Sequence, residues 1–517
     1  MSHRSSHLNA TQRADALTEL RDGEALDVLV IGGGITGAGA ALDAASRGLR
    51  VGLIERRDLA WGTSRWSSKL IHGGLRYLAG GHVGIAMESA RERGVLLERT
   101  APHLVRPLRQ VIPLTPVVPR GIERRAAVGL HLGDGLRRAA GTSSRELPRV
   151  RHVDASAMRD IAPGVRRGGL RGGLVAWDAQ VEDDARLVVA IARTAAAHGA
   201  QVATHCGAVE ARPGGATVRD ERTGETFDVR ARAVINATGV WTPELTPGLQ
   251  VRPSRGSHLV VSLARLGGLA GILSVPVPGD PTRFVFAIPQ RSGLAYVGIT
   301  DEPITGPLPD VPQAPDHDVA FLLETLSSAL EEPLTDADVL GTYAGFRPLV
   351  EGDGDTRTAD LSREHVVQTG TGGLVTVVGG KLTTYRQMAE DAVDAAVAAG
   401  GLVARLCRTT DVPLVGAAPR PALAAVPAPA RLVDRHGIEA PDVLALADGD
   451  PELLAPLAPG LDVLRAEVIH AVRAEGALDA DDVLDRRTRI GLVPARREQV
   501  LPAVEALVAA SREARVG

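Results

Sequence analysis

Residues 27–58 read DVLVIGGGITGAGAALDAASRGLRVGLIERRD and hold each part of a dinucleotide-binding βαβ half in order. The apolar run Val28 to Ile31 predicts a strand that meets Gly32, Gly34 and Gly37. The first glycine permits the tight turn, the second lets backbone approach a pyrophosphate, and the third lets helix pack on strand. A helix N-terminus then faces the phosphates. A second apolar strand, Val51 to Ile54, ends at Glu55, 21 residues beyond Gly34, where a carboxylate can accept a hydrogen bond from a ribose hydroxyl. A bare GxGxxG arises by chance in a chain with 58 glycines. Flanking strands and a correctly spaced acid point instead to an adenine dinucleotide, with NAD and FAD both open at this stage.

The 517 residues suffice for two or three domains and a large core. Hydrophobic residues reach 44% but aromatics only 3%, so the core is built from Ala, Val and Leu, which suits helices layered on a parallel sheet. With 58 basic and 62 acidic residues the net charge is −4, which argues against a bulk nucleic-acid binder and makes any cationic site local. Cys206 and Cys407 fit no metal or redox motif and read as two reduced packing residues. The first 24 residues lack an apolar signal core, and no run of 18 apolar residues occurs. The expected location is therefore the cytoplasm, or a membrane surface facing it.

Along the chain, Met1 to Glu24 reads as a frayed tail with one helical turn around Ala14 to Leu20. Residues 25–105 read as the first part of the dinucleotide domain and 106–152, rich in proline and then arginine, as a basic insertion. Residues 153–250 read as its second part, with a helix near Ala185 to His198 and strands at Gln201 to Thr204 and Ala233 to Ala237. Residues 251–340 are richer in short strands and form the expected substrate domain, with a helix at His317 to Glu331. Residues 341–405 return to the dinucleotide domain, 406–431 read as a proline-rich semi-rigid linker, and 432–517 as a helical cap. The fold class is α/β: a discontinuous Rossmann-like domain, a mixed or antiparallel substrate sheet and an all-helical C-terminal cap. No internal repeat is visible.

Three more segments carry chemistry. In Ser67 to Leu78, SSKLIHGGLRYL, two serines, a lysine and two glycines make a loop able to line a flavin or phosphate, with His72, Arg76 and Tyr77 toward a substrate. The plain alternative is a surface turn with a solvated arginine. Ala233 to Gly239, AVINATG, is a buried strand breaking into glycine, as at the edge of a doubly wound sheet. In Leu374 to Arg386, LVTVVGGKLTTYR, a strand meets Gly379 and Gly380 and starts a helix with Lys381 in its first turn. A lysine there opposes the helix dipole by a few tenths of a kcal/mol, which makes sense if an anion binds. A solvated lysine is the alternative.

Taken together, these segments resemble the FAD-dependent glycerol-3-phosphate dehydrogenases, in the larger group that includes D-amino-acid oxidase. The resemblance runs from about Asp27 to the C-terminus through GGGITGAG, TSRWSSKLIHGGLRYL, APHL at Ala101, DARLV at Asp184, NATG, RPSRGSHLV at Arg252, FVFAIP at Phe284, GITD at Gly298, AGFRPL at Ala344, SREH at Ser362 and GGKLTTYRQMAE at Gly379. The tail joins it with AEVIHAVRAEGALDADDVLDRRTRI from Ala466. The resemblance implies FAD, held by Gly32, Gly34, Gly37, Glu55, Thr63, Ser64, Ser68, Lys69, Leu70, His72, Gly73, Gly239, Gly380, Lys381, Leu382 and Thr383. No second nucleotide fold is left for NAD. It also implies that Arg76, Tyr77, Arg347, Arg363 and Lys381 hold glycerol 3-phosphate. Converging cations suit that ligand, because each charge-assisted hydrogen bond contributes roughly 1.5 to 3 kcal/mol.

The implied reaction takes a hydride from C2 to flavin N5 and the hydroxyl proton to a base. His258 is the leading candidate for that base and His72 the second, while Arg347 orients the alcohol. Catalysis is thus expected at His258, Arg347 and Lys381. Trp66, Val240, Gln290 and Phe346 depart from the family pattern and put pocket shape and electron acceptor in question. The family implies a quinone acceptor and peripheral membrane attachment; an oxygen-using soluble oxidase is the alternative, and a flavoprotein acting on another substrate a more distant one. The candidate membrane surface is Val117 to His152, with eight arginines against three acids, and a helix over Ile122 to Ala140 would align Ile122, Ala126, Leu130, Leu136 and Ala140. A solvated basic loop is the alternative there. The cap is expected to serve a partner or a homodimer contact.

Overall fold

The computed structural model describes residues 5–74, 82–350, 364–370 and 373–513. The opening strand, Leu26–Ile31, lies inside a parallel sheet between Val51–Glu55 and Thr226–Asn236. Gln201–Thr204 extends the sheet beyond Val51–Glu55, and Leu374–Gly379 extends it beyond Thr226–Asn236. His365–Thr369 closes that edge antiparallel. Val28, Val30, Val51, Leu53 and Ile235 face one layer of helices. In that layer Ile35–Ser46 packs between Asp184–Ala197 and Tyr385–Gly400, and its alanines allow the close approach. The discontinuous Rossmann-like fold expected from residues 27–58 is therefore present.

The other face of this sheet corrects the reading of the N-terminus. Ala10–Asp22 is a full helix, started by Asn9, whose Oδ1 accepts from Gln12 N at 3.0 Å. Its Leu17 and Leu20 pack on Leu29, Ile31 and Ile54, beside the hairpin of Cys206–Arg212 and Gly215–Asp220. The helix forms because the sheet's second face is apolar and needs a cover, a demand its own sequence does not display.

The second sheet is built mainly from antiparallel strands, with Val251–Ser262 paired to both Leu294–Gly298 and Val339–Val350. It continues through Asp280–Pro289, Ile272–Val277, Val105–Pro113 and Gly173–Val181 to the short strand Leu70–Ile71. Strands from several expected segments thus meet in one sheet. Residues 106–152, expected as a single insertion, divide: Val105–Pro113 is a strand of this sheet, and Arg120–Ala139 is a helix laid over it. Pro107 is tolerated because Ile272–Val277 pairs with this strand only at Gln110 and Val111, which leaves Pro107 one neighbouring strand. The helix turns Ala126 and Leu130, from the face expected to meet a membrane, inward onto Ile112, Leu174 and Ala176. What it exposes is Val128 and Leu132, with Arg124, Arg125 and Arg138. No helix among the described residues is long and apolar enough to cross a membrane.

The proline-rich stretch, expected as a semi-rigid linker, packs against the body: Val412 and Leu414 are buried, and Leu414 N donates to Thr100 O at 2.9 Å. The C-terminal helices have their own core around Val468, Val472, Leu484, Val500 and Val504. Buried ion pairs join them to the parallel-sheet body. Arg487 places Nη1 and Nη2 each 2.8 Å from the carboxylate of Asp58, and Arg486 Nε stands 2.6 Å from the same group. Arg186 grips Glu475 with both terminal nitrogens, at 2.6 and 3.1 Å. Breaking a buried pair strands a charge, at about 3 to 5 kcal/mol. Asp58→Ala is accordingly expected to lower the unfolding free energy by that amount and expose residues 406–431 to protease. Denaturant titration and limited proteolysis check both.

Candidate active site

The glycine turn has the geometry a dinucleotide needs. Gly32 sits at φ +110°, and a Cβ there would lie 2.6 Å from Ala237 O; at Gly37 a Cβ would lie 1.8 Å from Gly32 O. Ser64 Oγ accepts from Ile35 N at 2.8 Å, at the head of the helix Ile35–Ser46, and a Cβ on Gly34 would stand 3.1 Å from that hydroxyl. Glu55 ends its strand with Oε2 2.6 Å from Gly33 N and Oε1 2.8 Å from Arg57 N. Burial raises its carboxyl above the ordinary value, and those two backbone donors oppose the rise. Gly239, at φ +61°, has open space where a side chain would project. Glycine turn, helix N-terminus and strand-end acid together fit the ADP half of FAD.

The segment Thr63 to Gly73 runs from this cradle to the second sheet. Thr63 Oγ1 donates to Phe346 O at 2.6 Å. Asp184 Oδ2 accepts from Ser67 N at 3.0 Å, Ser67 Oγ at 2.7 Å and Lys69 Nζ at 2.8 Å. Lys69 also donates to the carbonyls of Arg65 and Ser67, each at 3.0 Å. Burial pulls its ammonium down to about 8 against the attraction of Asp184. Its side chain is thus committed to the protein, and only backbone is left to it as a cofactor contact. Leu70 pairs with Gln180 in the second sheet, His72 is half-buried, and Gly73 N donates to Asp178, which Arg93 holds at 2.6 Å.

One face of the second sheet carries the candidate chemistry. Ser254 lies opposite Arg347, Gly256 opposite Gly345, and His258 opposite Tyr343, so these alternate residues share a side. The glycine pair leaves room that larger neighbours fill. A Cβ on Gly256 would stand 2.4 Å from Arg347 Nη2, and one on Gly345 would stand 2.6 Å from Trp66 Cβ. Trp66, a departure from the family pattern, is therefore the side chain that seats the serine loop on the sheet. Phe346 alternates to the opposite face and is buried there, away from Arg347.

Arg347 donates from Nη1 to Asp301 Oδ1 at 3.2 Å and Ser254 Oγ at 3.3 Å, and from Nη2 to Thr300 O at 2.9 Å. His258 stacks on Tyr343, with ring centroids 4.5 Å apart and planes 9° apart, and its Nε2 is 2.8 Å from Ser68 Oγ. The imidazole is 0% exposed, and the hydroxyl it meets belongs to the partly exposed Ser68. Burial, and then the charges of Lys69 and Arg347, push it well below the ordinary histidine value. Lys381 precedes the short helical turn Leu382–Thr384 in extended backbone, one residue earlier than expected, and its Nζ donates to Ser89 Oγ at 2.9 Å. Gly380, at φ +72°, comes just before it, and Thr383 is buried. Arg76, Tyr77 and Arg363 lie outside the described residues.

Comparison with known proteins gives this arrangement its family. Residues 27–386 match the model described as FAD dependent oxidoreductase, and residues 407–513 match the C-terminal domain of alpha-glycerophosphate oxidase. Glycerol-3-phosphate dehydrogenase 1 of Mycobacterium tuberculosis is 52% identical over 505 residues, covering 96% of this chain and 97% of the relative. The chain belongs to the FAD-dependent glycerol-3-phosphate dehydrogenases. Glycerol-3-phosphate dehydrogenase 2 of the same organism is 42% identical, covering 94% of this chain and 84% of the relative. The glycerol-3-phosphate dehydrogenase of Bacillus halodurans, solved in complex with FAD, superposes with a TM-score of 0.74 at 28% identity, over 97% of this chain and 94% of that one.

Motif reading missed Asp184 as the anchor of the serine loop and Tyr343 as the wall behind His258. Asp184 opens the DARLV segment and Tyr343 directly precedes AGFRPL, but neither position reveals its partner across the fold. Because a methyl group at residue 37 collides with backbone, Gly37→Ala is expected to purify without bound flavin. Its visible absorbance against wild type checks this.

Proposed function

We propose that the chain oxidises sn-glycerol 3-phosphate to dihydroxyacetone phosphate and passes the electrons to a quinone. FAD, held by the glycine turn, Glu55 and the Thr63 to Gly73 segment, supplies the hydride acceptor at N5. The parallel-sheet body carries that cofactor, and the second sheet carries the substrate. Arg347 is the observation on which the reading rests. Its guanidinium is held in place by Asp301, Ser254 and the Thr300 carbonyl, on the same sheet face as His258. In this reading Arg347 orients the C2 hydroxyl and stabilises negative charge developing on its oxygen. Lys381, with Arg76 and Arg363, neutralises the phosphate, and Tyr77 donates a hydrogen bond to it.

His258 takes the proton indirectly. With no exposed surface and Nε2 against Ser68 Oγ, it receives a proton from Ser68 as Ser68 accepts one from the C2 hydroxyl. Peripheral attachment to a lipid surface is supported by Val128 and Leu132, exposed among Arg124, Arg125 and Arg138 on the helix Arg120–Ala139.

Anaerobic addition of glycerol 3-phosphate to the purified yellow protein is expected to bleach the flavin, and absence of bleaching would reject the reading. Re-oxidation is expected to be faster with a quinone analogue than with oxygen; the reverse order would assign an oxidase. Arg347→Ala and Lys381→Ala are each expected to lower kcat/KM by at least about a hundredfold, the scale of one lost transition-state contact.

The pH dependence follows from the lowered imidazole. A base whose value lies below the ordinary 6.5 or so stays neutral as pH falls through that range. Flavin reduction at limiting substrate, kcat/KM, which reads the ligand-free enzyme, is therefore expected to stay level from neutral pH through about 6.5 and to fall only below it. An inflection at or above that pH would rule out His258 as the proton acceptor.

A further inference from the structure

The C-terminal helices carry the motif DRRTRI, and the side chains of Arg486 and Arg487 are spent on Asp58. Arg489 goes elsewhere. Its backbone is left-handed, at φ +63° and ψ +13°, a conformation that a long side chain keeps only where surrounding contacts over-determine it. The side chain leaves the helical body and reaches the floor of the proposed active site. Nη1 is tied to Asp485 O at 2.7 Å within the cap, while Nη2 donates to Arg65 O at 2.5 Å. The guanidinium also lies 5.5 Å from the ring centre of Trp66, with Nε 3.9 Å from Asp183.

The Arg65 carbonyl is a junction, because it accepts from Lys69 Nζ as well. Lys69 donates in turn to Ser67 O, and Ser67 O also accepts from Tyr343 Oη at 3.1 Å. Tyr343 is the ring on which His258 stacks. Immediately after Arg489 the cap inserts Leu492 and Val493 among Tyr343, Tyr296, Val260 and Trp66. A polar path and an apolar contact therefore run from the same turn of the cap to the same tyrosine.

We infer that Arg489 is a positioning residue for catalysis: by holding the Arg65 carbonyl it sets Lys69 and Ser67, and through them Tyr343 and the imidazole of His258. The C-terminal helical body thereby completes the active-site floor, a task separate from any partner or dimer contact. This inference rests on the assignment of His258 to the proposed active site.

The test compares wild type, Arg489→Met, Arg489→Lys and Glu505→Gln as FAD-loaded proteins. Glu505 is exposed on the last helix of the cap. Arg489→Met is expected to keep its flavin and a KM for glycerol 3-phosphate within about threefold of wild type, while flavin reduction slows by at least about tenfold. Its visible flavin circular dichroism is expected to change, because the Thr63 to Lys69 segment shifts. Arg489→Lys, which can still donate to a carbonyl, is expected to recover part of the rate, and Glu505→Gln to match wild type. If Arg489→Met does not accumulate, Arg489→Gln is read by the same criteria.

Reduction at the wild-type rate with an unchanged spectrum would overturn the inference, and so would a loss shared equally by Glu505→Gln. Failure of wild type itself to be bleached would reject the proposed activity instead. The circular dichroism comparison would then still decide whether Arg489 sets the loop.

Discussion

The carboxylate of Asp184 has no exposed surface, yet it decides where the two sheets meet. It stands in the first turn of the helix Asp184–Ala197, where the amide dipoles favour negative charge, and that helix is packed against the dinucleotide helix Ile35–Ser46. From there it accepts from Ser67 N, Ser67 Oγ and Lys69 Nζ. The segment so pinned carries Trp66 onto Gly345 and Ser68 onto His258, both on the second sheet. One anion thus fastens the loop between the parallel-sheet body and the second sheet at both ends. Taking two charges out of water is costly, and the pair repays the cost only with satisfied hydrogen bonds. Here both partners have them: Asp184 accepts three from this segment, and Lys69 donates three.

The same logic repeats at Asp58, three residues past the strand-end Glu55. Its carboxylate gathers Arg486 and Arg487 from the far end of the chain. Cofactor turn, serine loop and cap are therefore joined by buried charge, while the sheets themselves are joined by apolar packing. Apolar packing is indifferent to small slips, whereas a carboxylate between two guanidinium groups accepts one arrangement. That difference suits these ionic contacts to the joints between bodies, where register is otherwise weakly specified.

What could be read from the sequence was local. The strand, glycine turn, helix and acid of residues 27–58 follow one another closely, so spacing alone carried them, and the same held for Gly379, Gly380 and the helix beyond. The helix Ala10–Asp22 escaped because it buries little beyond Ala16, Leu17 and Leu20, too few to mark a periodic face. The strand Val105–Pro113 escaped because a proline within a strand ordinarily argues against one, and its tolerance at Pro107 depends on where a neighbouring strand stops. The sequence offered His258 as a base touching substrate and did not display its burial. Tyr343, 85 positions away, and Gly298 are brought against it by strand register.

The charge around His258 explains why its setting matters. Lys69, Arg65, Arg347 and Arg489 crowd one region of a chain whose net charge is −4, facing Asp184, Asp485, Asp301 and Asp183 in turn, with Asp485 and Asp183 at 3.6 and 3.9 Å. Burial, and then repulsion from Arg486 and Arg489, draws even Arg65 down to about 9. A neutral imidazole is the stable form in such surroundings, and protonating it adds one more cation to a crowded site. An arriving phosphate ester reverses that balance, since it brings close to two negative charges into a low-dielectric space where opposite charges attract strongly. The proposed proton acceptor is therefore most basic when a phosphorylated alcohol is bound and least basic without one. A polyol lacking phosphate would meet the same hydroxyl-binding groups but a histidine that resists the proton, so selectivity for the ester enters the chemical step as well as binding.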